Sequence, residues 1–211
     1  MGESEDLDRL LAHIETTGFE MRAVPGGWPE NVELSLIDAV LSIRARYGVS
    51  ADTGVRGAIQ RYKHEAGRTR WDDLQGLAKV DATWLEGVLN NRQKTGGVPK
   101  AQAIVSAAAR LAQVGVVNSQ DVDRNSAEQR KAYCGTRGLG PVTWQYFLML
   151  VGHDGVKPDT LVSRFVEAAI GRNPDAPTVT HLVTRAAEHL GVPAAAMDHS
   201  IWRHMSNPRR D

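Results

Sequence analysis

The residue types that could do chemistry in this chain gather between positions 134 and 165. The stretch CGTRGLGPVTWQYFLMLVG (134–152) sets Gly138, Leu139 and Gly140 directly before a strongly apolar segment, with Pro141 where a first helical N–H would have no partner. Two glycines around one hydrophobe allow a tight turn and a close backbone approach to a ligand, while Leu139 anchors the turn in the core. Free N–H groups at such a turn, helped by the dipole of the helix that follows, bind an anion, and on nucleic acid that anion is a backbone phosphate. Arg137 and Thr143 flank the turn as further candidates for that contact. A tight interhelical turn without any ligand would use the same residues. Further on, VKPDTLVSRF (156–165) places Asp159 at the start of the next helix, where an aspartate by itself is a cap. Trp144, Tyr146 and Phe147 could wall a pocket for a stacked base, although such a run more commonly fills a core.

Composition narrows what this segment can serve. With 42% hydrophobic and 24% charged residues, a packed globular fold is expected, and 211 residues suffice for one core or two small helical lobes. Lys+Arg and Asp+Glu both number 25, so the whole chain carries no electrostatic footprint for nucleic acid; a phosphate-binding face needs only a local excess of positive charge. Cys134 is the only cysteine, which excludes an intrachain disulfide, a four-cysteine zinc site and a cysteine-ligated iron–sulfur cluster, and leaves it as a small buried hydrophobe. The histidines show no metal-ligand spacing, and no metal or cofactor is expected. No apolar run reaches the roughly 18 residues of a membrane span, and the start MGESEDLDRL is acidic where a secretory signal is basic, so a cytoplasmic protein is expected; separately, a monomer is expected.

The elements that must position these residues all read as helix: apolar positions recur three and four apart, and β-branched alternation is nearly absent, which makes the fold class all-α. Helices are expected at about 5–17, 32–47, 52–65, 71–77, 81–90, 99–113, 126–132, 159–170, 178–190 and 194–205, with the apolar segment after Pro141 as a further one. The second carries the stripe Ile37, Val40, Leu41 toward Arg44, with Gly48 as its cap. The Pro/Gly stretch VPGGWPEN (24–31) marks a lobe boundary. The expected division is one helical lobe over 32–151, including the hairpin, and a second built from 1–31 plus 152–211, the two flanking a cleft.

Taken together, the Gly-Leu-Gly turn, the apolar helix and Asp159 resemble the helix-hairpin-helix base-excision DNA glycosylase superfamily, with its endonuclease III-like fold. That family follows a hairpin of pattern h-x-G-h-G with a helix, a short loop and a catalytic aspartate in a segment like V-D-T-x-h-x-R; the matching residues are Gly138, Leu139, Gly140, Val156, Asp159, Thr160 and Arg164. LIDAVLSIRARYG (36–48) is similar to the family helix that ends beside the active site, TGGVPKAQAIVSAAARL (95–111) to its loop and long buried helix, and DHSIWRHMS (198–206) to its returning C-terminal helix.

The resemblance implies a reaction. A base in a duplex must leave the stack before its glycosidic bond can be attacked, and cleavage builds positive charge on the sugar. Asp159 would stabilise that charge and activate a water, its position at a helix N-terminus keeping it ionised. Arg44 matches a family position that often carries a polar wedge filling the vacancy left by the base, although a solvated arginine ending an apolar stripe would look the same. Arg46 and Tyr47 are further candidates for phosphate or base contact. Bifunctional members carry a lysine two residues after the second hairpin glycine; Val142 stands there, so base release without lyase activity is expected. Lys157 lies near Asp159 but reads as a loop phosphate contact or a solvated lysine, and the four-cysteine loop that ends some members is missing. Two other readings stay open at this point: a noncatalytic DNA-binding protein of the same fold, and an all-helical interaction module.

Overall fold

In a computed structural model the described residues are 2–21, 26–45 and 53–206. They form eleven helices, one short 3-10 turn and a two-stranded ribbon. The helices are α1 (Glu3–Thr17), α2 (Val32–Leu41), α3 (Gly54–Ala66), α4 (Leu74–Leu77), α5 (Ala82–Leu89), α6 (Lys100–Gln113), α7 (Ala127–Cys134), α8 (Pro141–Val151), α9 (Thr160–Ile170), α10 (Ala176–His189) and α11 (Ala194–Ser206). Strands β1 (Lys94–Thr95) and β2 (Val98–Pro99) pair antiparallel, Lys94 opposite Pro99 and Thr95 opposite Val98. The chain divides into two compact units, Gly26–His153 and Met1–Pro25 with Asp154–Asp211. Each has its own hydrophobic core.

In the first unit α2 is central: all ten of its residues are buried, and α3, α6 and α8 pack on it. Its two carboxylates are tolerated there because each is partnered. Glu33 accepts from Arg68 at 2.9 and 2.6 Å, from the Tyr62 hydroxyl at 2.6 Å and from the Asp73 N–H at 3.1 Å. At its other end α2 stops earlier than its apolar stripe suggests. The helix was expected to reach Tyr47, yet Ser42–Arg44 form a turn in which Arg44 takes φ +50, a left-handed conformation no α-helix can continue through. The cause lies outside the segment: buried Lys100, at the head of α6, donates from Nζ to the carbonyls of Leu41 (2.8 Å) and Ile43 (2.7 Å), replacing the helical donors those oxygens would otherwise receive. Arg46, Tyr47 and Gly48 lie outside the described residues.

The ribbon is the other departure from the sequence reading, which expected no strand. Its two-residue turn, Gly96-Gly97, has positive φ at both positions, +56 and +85, the conformation that closes a hairpin with the twist strands require.

The second unit joins chain segments that are far apart in sequence. Leu10 and Ile14 of α1 share a core with Val162, Phe165 and Val166 of α9, Leu182 and Val183 of α10, and Met197 and Ile201 of α11. Arg9 donates to the carbonyl of Ile170, and Arg172 pairs with buried Asp6, so α1 is held at the C-terminal end of α9 by charge as well as by packing. α10 opens at Ala176, two residues before its expected start, because Asp175 accepts from the Thr178 N–H at 2.9 Å and Pro177 suits a first turn.

Candidate active site and nucleic-acid interface

α7 and α8 are joined by the Gly138-Leu139-Gly140 turn. Gly138 has φ +86, and a β-carbon there would stand 2.5 Å from the carbonyl carbon of Thr95, so both conformation and space exclude any side chain. The ribbon occupies that space. Thr95, buried, donates its hydroxyl hydrogen to the Gly138 carbonyl at 2.7 Å, and Arg137 Nε donates to the Gly96 carbonyl at 2.7 Å. Leu139 is buried in the core of its unit.

Gly140 differs: its backbone is extended, and a β-carbon there would meet nothing within 4 Å. The turn pattern implies free amides here, but two are taken within it. Leu139 N–H donates to the Thr136 carbonyl at 3.0 Å, and Gly140 N–H to the Thr143 hydroxyl at 3.0 Å, which in turn donates to the Gly140 carbonyl at 2.8 Å. The Thr143 hydroxyl therefore closes the turn rather than reaching outward. The donors that a helix leaves unpaired in its first turn are here the amides of Val142 and Thr143, since Pro141 has none.

The aromatic residues divide. Trp144 is 1% exposed and packs with Tyr133 and Phe147 at ring separations of 5.3 and 5.6 Å, so of the two roles open to it, pocket wall or core, it takes the core, where it binds α8 to α7. Tyr146 is half-buried, with its hydroxyl 3.5 Å from Oδ1 of Asp38. Asp38 was not singled out from the sequence, although an aspartate inside LIDAVL is a polar group within an apolar helix and signals a buried hydrogen-bond centre. It accepts from Trp28 Nε1 at 2.9 Å and from the Ser42 hydroxyl at 2.9 Å. Asp38 and Lys100 together fix the end of α2 and the turn that presents Arg44, whose side chain is exposed. Lys100 also donates to Gln93 Oε1 at 2.7 Å; burial pulls its pKa down to about 8 while three acceptors favour the charged form. Cys134 is half-buried beside Arg130, and burial pushes its thiol up.

In the second unit Asp159 is the N-cap of α9. Its Oδ1 accepts from the amides of Leu161 (2.9 Å) and Val162 (3.1 Å), and its own N–H donates to the Lys157 carbonyl at 2.7 Å. One carboxylate oxygen is thus fixed by the helix, and Oδ2 takes no hydrogen bond among the described residues. A half-buried carboxylate held in this way keeps a fixed direction while offering one oxygen to a developing cation or to a water. Asp198 of α11, also missed in the sequence, is buried next to this loop and accepts from the Lys157 N–H at 2.9 Å. Burial, together with the charge of Asp159, raises its pKa to about 7. Lys157 is half-buried and Arg164 exposed on α9, while His153 lies at the end of the first unit with its ring 3.3 Å from the Val122 carbonyl. Among the described residues no cluster of three or more His, Cys, Asp or Glu could hold a metal ion, and no helix is long and apolar enough to cross a membrane.

Solved structures share this fold. The H. pylori 3-methyladenine DNA glycosylase MagIII, bound to 1,N6-ethenoadenine, superimposes with a TM-score of 0.67 at 13% identity, covering 100% of both chains. An endonuclease III trapped as a covalent intermediate with DNA matches with a TM-score of 0.54 at 17% identity, over 99% of this chain and 87% of that one. The Methanocaldococcus jannaschii 8-oxoguanine DNA glycosylase gives 0.56 at 14% identity, over 98% and 87%. The fold is therefore the endonuclease III-like, all-α fold of the helix-hairpin-helix DNA glycosylases. No curated protein matches the sequence. Residues 8–206 match the model of a domain of unknown function, DUF8548, and the chain belongs to that family.

Proposed function

We propose that this protein is a monofunctional DNA glycosylase, which hydrolyses the bond between a damaged, mismatched or modified base and its sugar. The observation that carries the proposal is the geometry of Asp159: Oδ1 is held by two amides of α9, and Oδ2 is left for the chemistry. With the base turned out of the stack, this carboxylate stabilises the oxocarbenium-like sugar and orients or deprotonates the attacking water.

DNA is held at the α7–α8 turn, where the first-turn amides of α8 meet a backbone phosphate next to the open face of Gly140, and Arg137 adds charge beside them. Arg44, on its left-handed turn, fills the vacancy in the duplex. Tyr146, and Tyr47 from the segment outside the described residues, stack on the extruded base. Val142, where a Schiff-base lysine would stand, leaves the sugar–phosphate backbone uncut. The enzyme works as a cytoplasmic monomer and needs no cofactor.

A panel of duplexes with one lesion each, including alkylated, etheno and oxidised purines and mismatched pyrimidines, tests this reading. Alkali-labile abasic sites should form on at least one duplex. If none is converted while every duplex is bound, the chain is a noncatalytic DNA-binding protein of this fold.

A further inference from the structure

Residues 154–159, which lead into α9, are clamped to α11 from both sides. Asp154 lends its carboxylate to the N-terminus of α11, accepting from the Ala195 N–H at 2.8 Å and the Ala194 N–H at 3.2 Å. One turn further along the same helix, Asp198 returns a carboxyl to the loop and accepts from the Lys157 N–H at 2.9 Å. The Lys157 carbonyl then receives the Asp159 N–H at 2.7 Å, and Asp159 caps α9. Two hydrogen bonds, Lys157 N–H to Asp198 and Asp159 N–H to the Lys157 carbonyl, thus run from α11 to the residue whose carboxylate is proposed to act on the sugar. Asp198 is 7% exposed, and Ser200 and Ile201 beside it on α11 are buried as well, so little water screens it.

We infer that Asp198 is a positioning residue for Asp159: through the Lys157 backbone it fixes where that carboxylate stands. The inference rests on the glycosylase reading for its consequence but not for its geometry. The charged groups that bear on Asp198 are Asp159, which opposes its ionisation, and Lys157, which favours it. With burial the largest influence, Asp198 keeps its proton to about pH 7. Two carboxylates whose surroundings push their ionisation apart can divide their roles, one remaining neutral and structural while the other carries the charge.

The test uses the full chain with its aspartate carboxyls labelled with carbon-13, together with single-turnover base release on a duplex the wild type converts. In the wild type, Asp198 should titrate near pH 7, and Asp159→Asn should move that midpoint down. Asp198→Ala should slow base release by roughly 10²-fold, the loss a misplacement of about 1 Å brings, with duplex binding preserved. Asp198→Asn, whose carbonyl can still accept from Lys157, should recover most of the rate and remove from the pH–rate profile the step near pH 7. Should Asp198→Ala fail to fold, Asp198→Asn alone decides through that profile. A midpoint unmoved by Asp159→Asn, or a profile unchanged in Asp198→Asn, overturns the inference. If no duplex is converted at all, the glycosylase reading fails by itself and the titration arm still decides whether the two carboxyls are coupled.

Discussion

The hydroxyl of Thr95 donates to the carbonyl of Gly138 at 2.7 Å, so the β1–β2 ribbon is fastened to the turn that gives the helix-hairpin-helix its shape. This contact separates the two hairpin glycines in what substitution does to them.

Gly138→Ala would place a methyl group 2.5 Å from the Thr95 carbonyl carbon at φ +86. It should lower stability by about 2–4 kcal/mol, from left-handed strain and overpacking combined. Gly140→Ala meets open space and should change stability by less than about 0.5 kcal/mol. It should nevertheless weaken binding to all duplexes alike, because it crowds a phosphate contact and removes no base contact. Urea denaturation and duplex titration of both variants check this; unchanged affinity in Gly140→Ala removes the hairpin from the interface.

Arg44 stands in the left-handed region, which only glycine occupies freely, and such strain is retained where a side chain has a use. Arg44→Gly should therefore gain about 0.5–1 kcal/mol in stability, while base release falls more on a paired duplex than on single-stranded DNA. Equal losses on both substrates would make Arg44 a phosphate contact.

Lys100→Met removes the donor shared by Leu41, Ile43 and Gln93 and leaves buried carbonyl oxygens unpaired. A loss of about 2–4 kcal/mol is expected. The effect on base release should resemble that of Arg44→Gly, because the turn carrying Arg44 loses its anchor. Thermal unfolding and the paired-to-single-stranded ratio of rates measure the two effects separately.

Asp198 makes folding depend on pH in a definite direction. Its folded pKa of about 7 lies above the ordinary aspartate value of 3.8, so between these values the folded chain holds a proton that the unfolded chain has released. Its contribution to stability is full below the lower value and is lost as pH rises through about 7. Asp198→Asn should flatten this decline, giving a smaller difference between denaturation midpoints at about pH 5 and about pH 8. A decline of wild-type size in the variant would assign it to other groups.

Much of this site can be read from local sequence, and the unread part has a common cause. The α9 cap and the α7–α8 turn follow from Asp159 and from Gly138-Leu139-Gly140-Pro141, because capping and left-handed turns depend on neighbouring residues. The early end of α2 depends on an ammonium group 59 positions away, and the burial of Asp198 on a loop amide 41 positions away, neither of which periodicity can register. Trp144 lies in the same segment as the hairpin, but only the helix rotation set by Tyr133 and Phe147 turns it into the core. The Gly96-Gly97 hairpin did carry a signal, two adjacent glycines between short extended segments, and an all-helical reading passes over it.

Whether Asp159 does chemistry as well as capping is decided by single-turnover base release in Asp159→Asn, measured beside its duplex affinity. Asparagine keeps an oxygen for the Leu161 and Val162 amides, so fold and binding should remain, while the charge facing the sugar cation and the capacity to accept a proton are lost. Base release should be about 10²–10⁴-fold slower at unchanged affinity. Wild-type base release from Asp159→Asn would contradict a chemical role for Asp159.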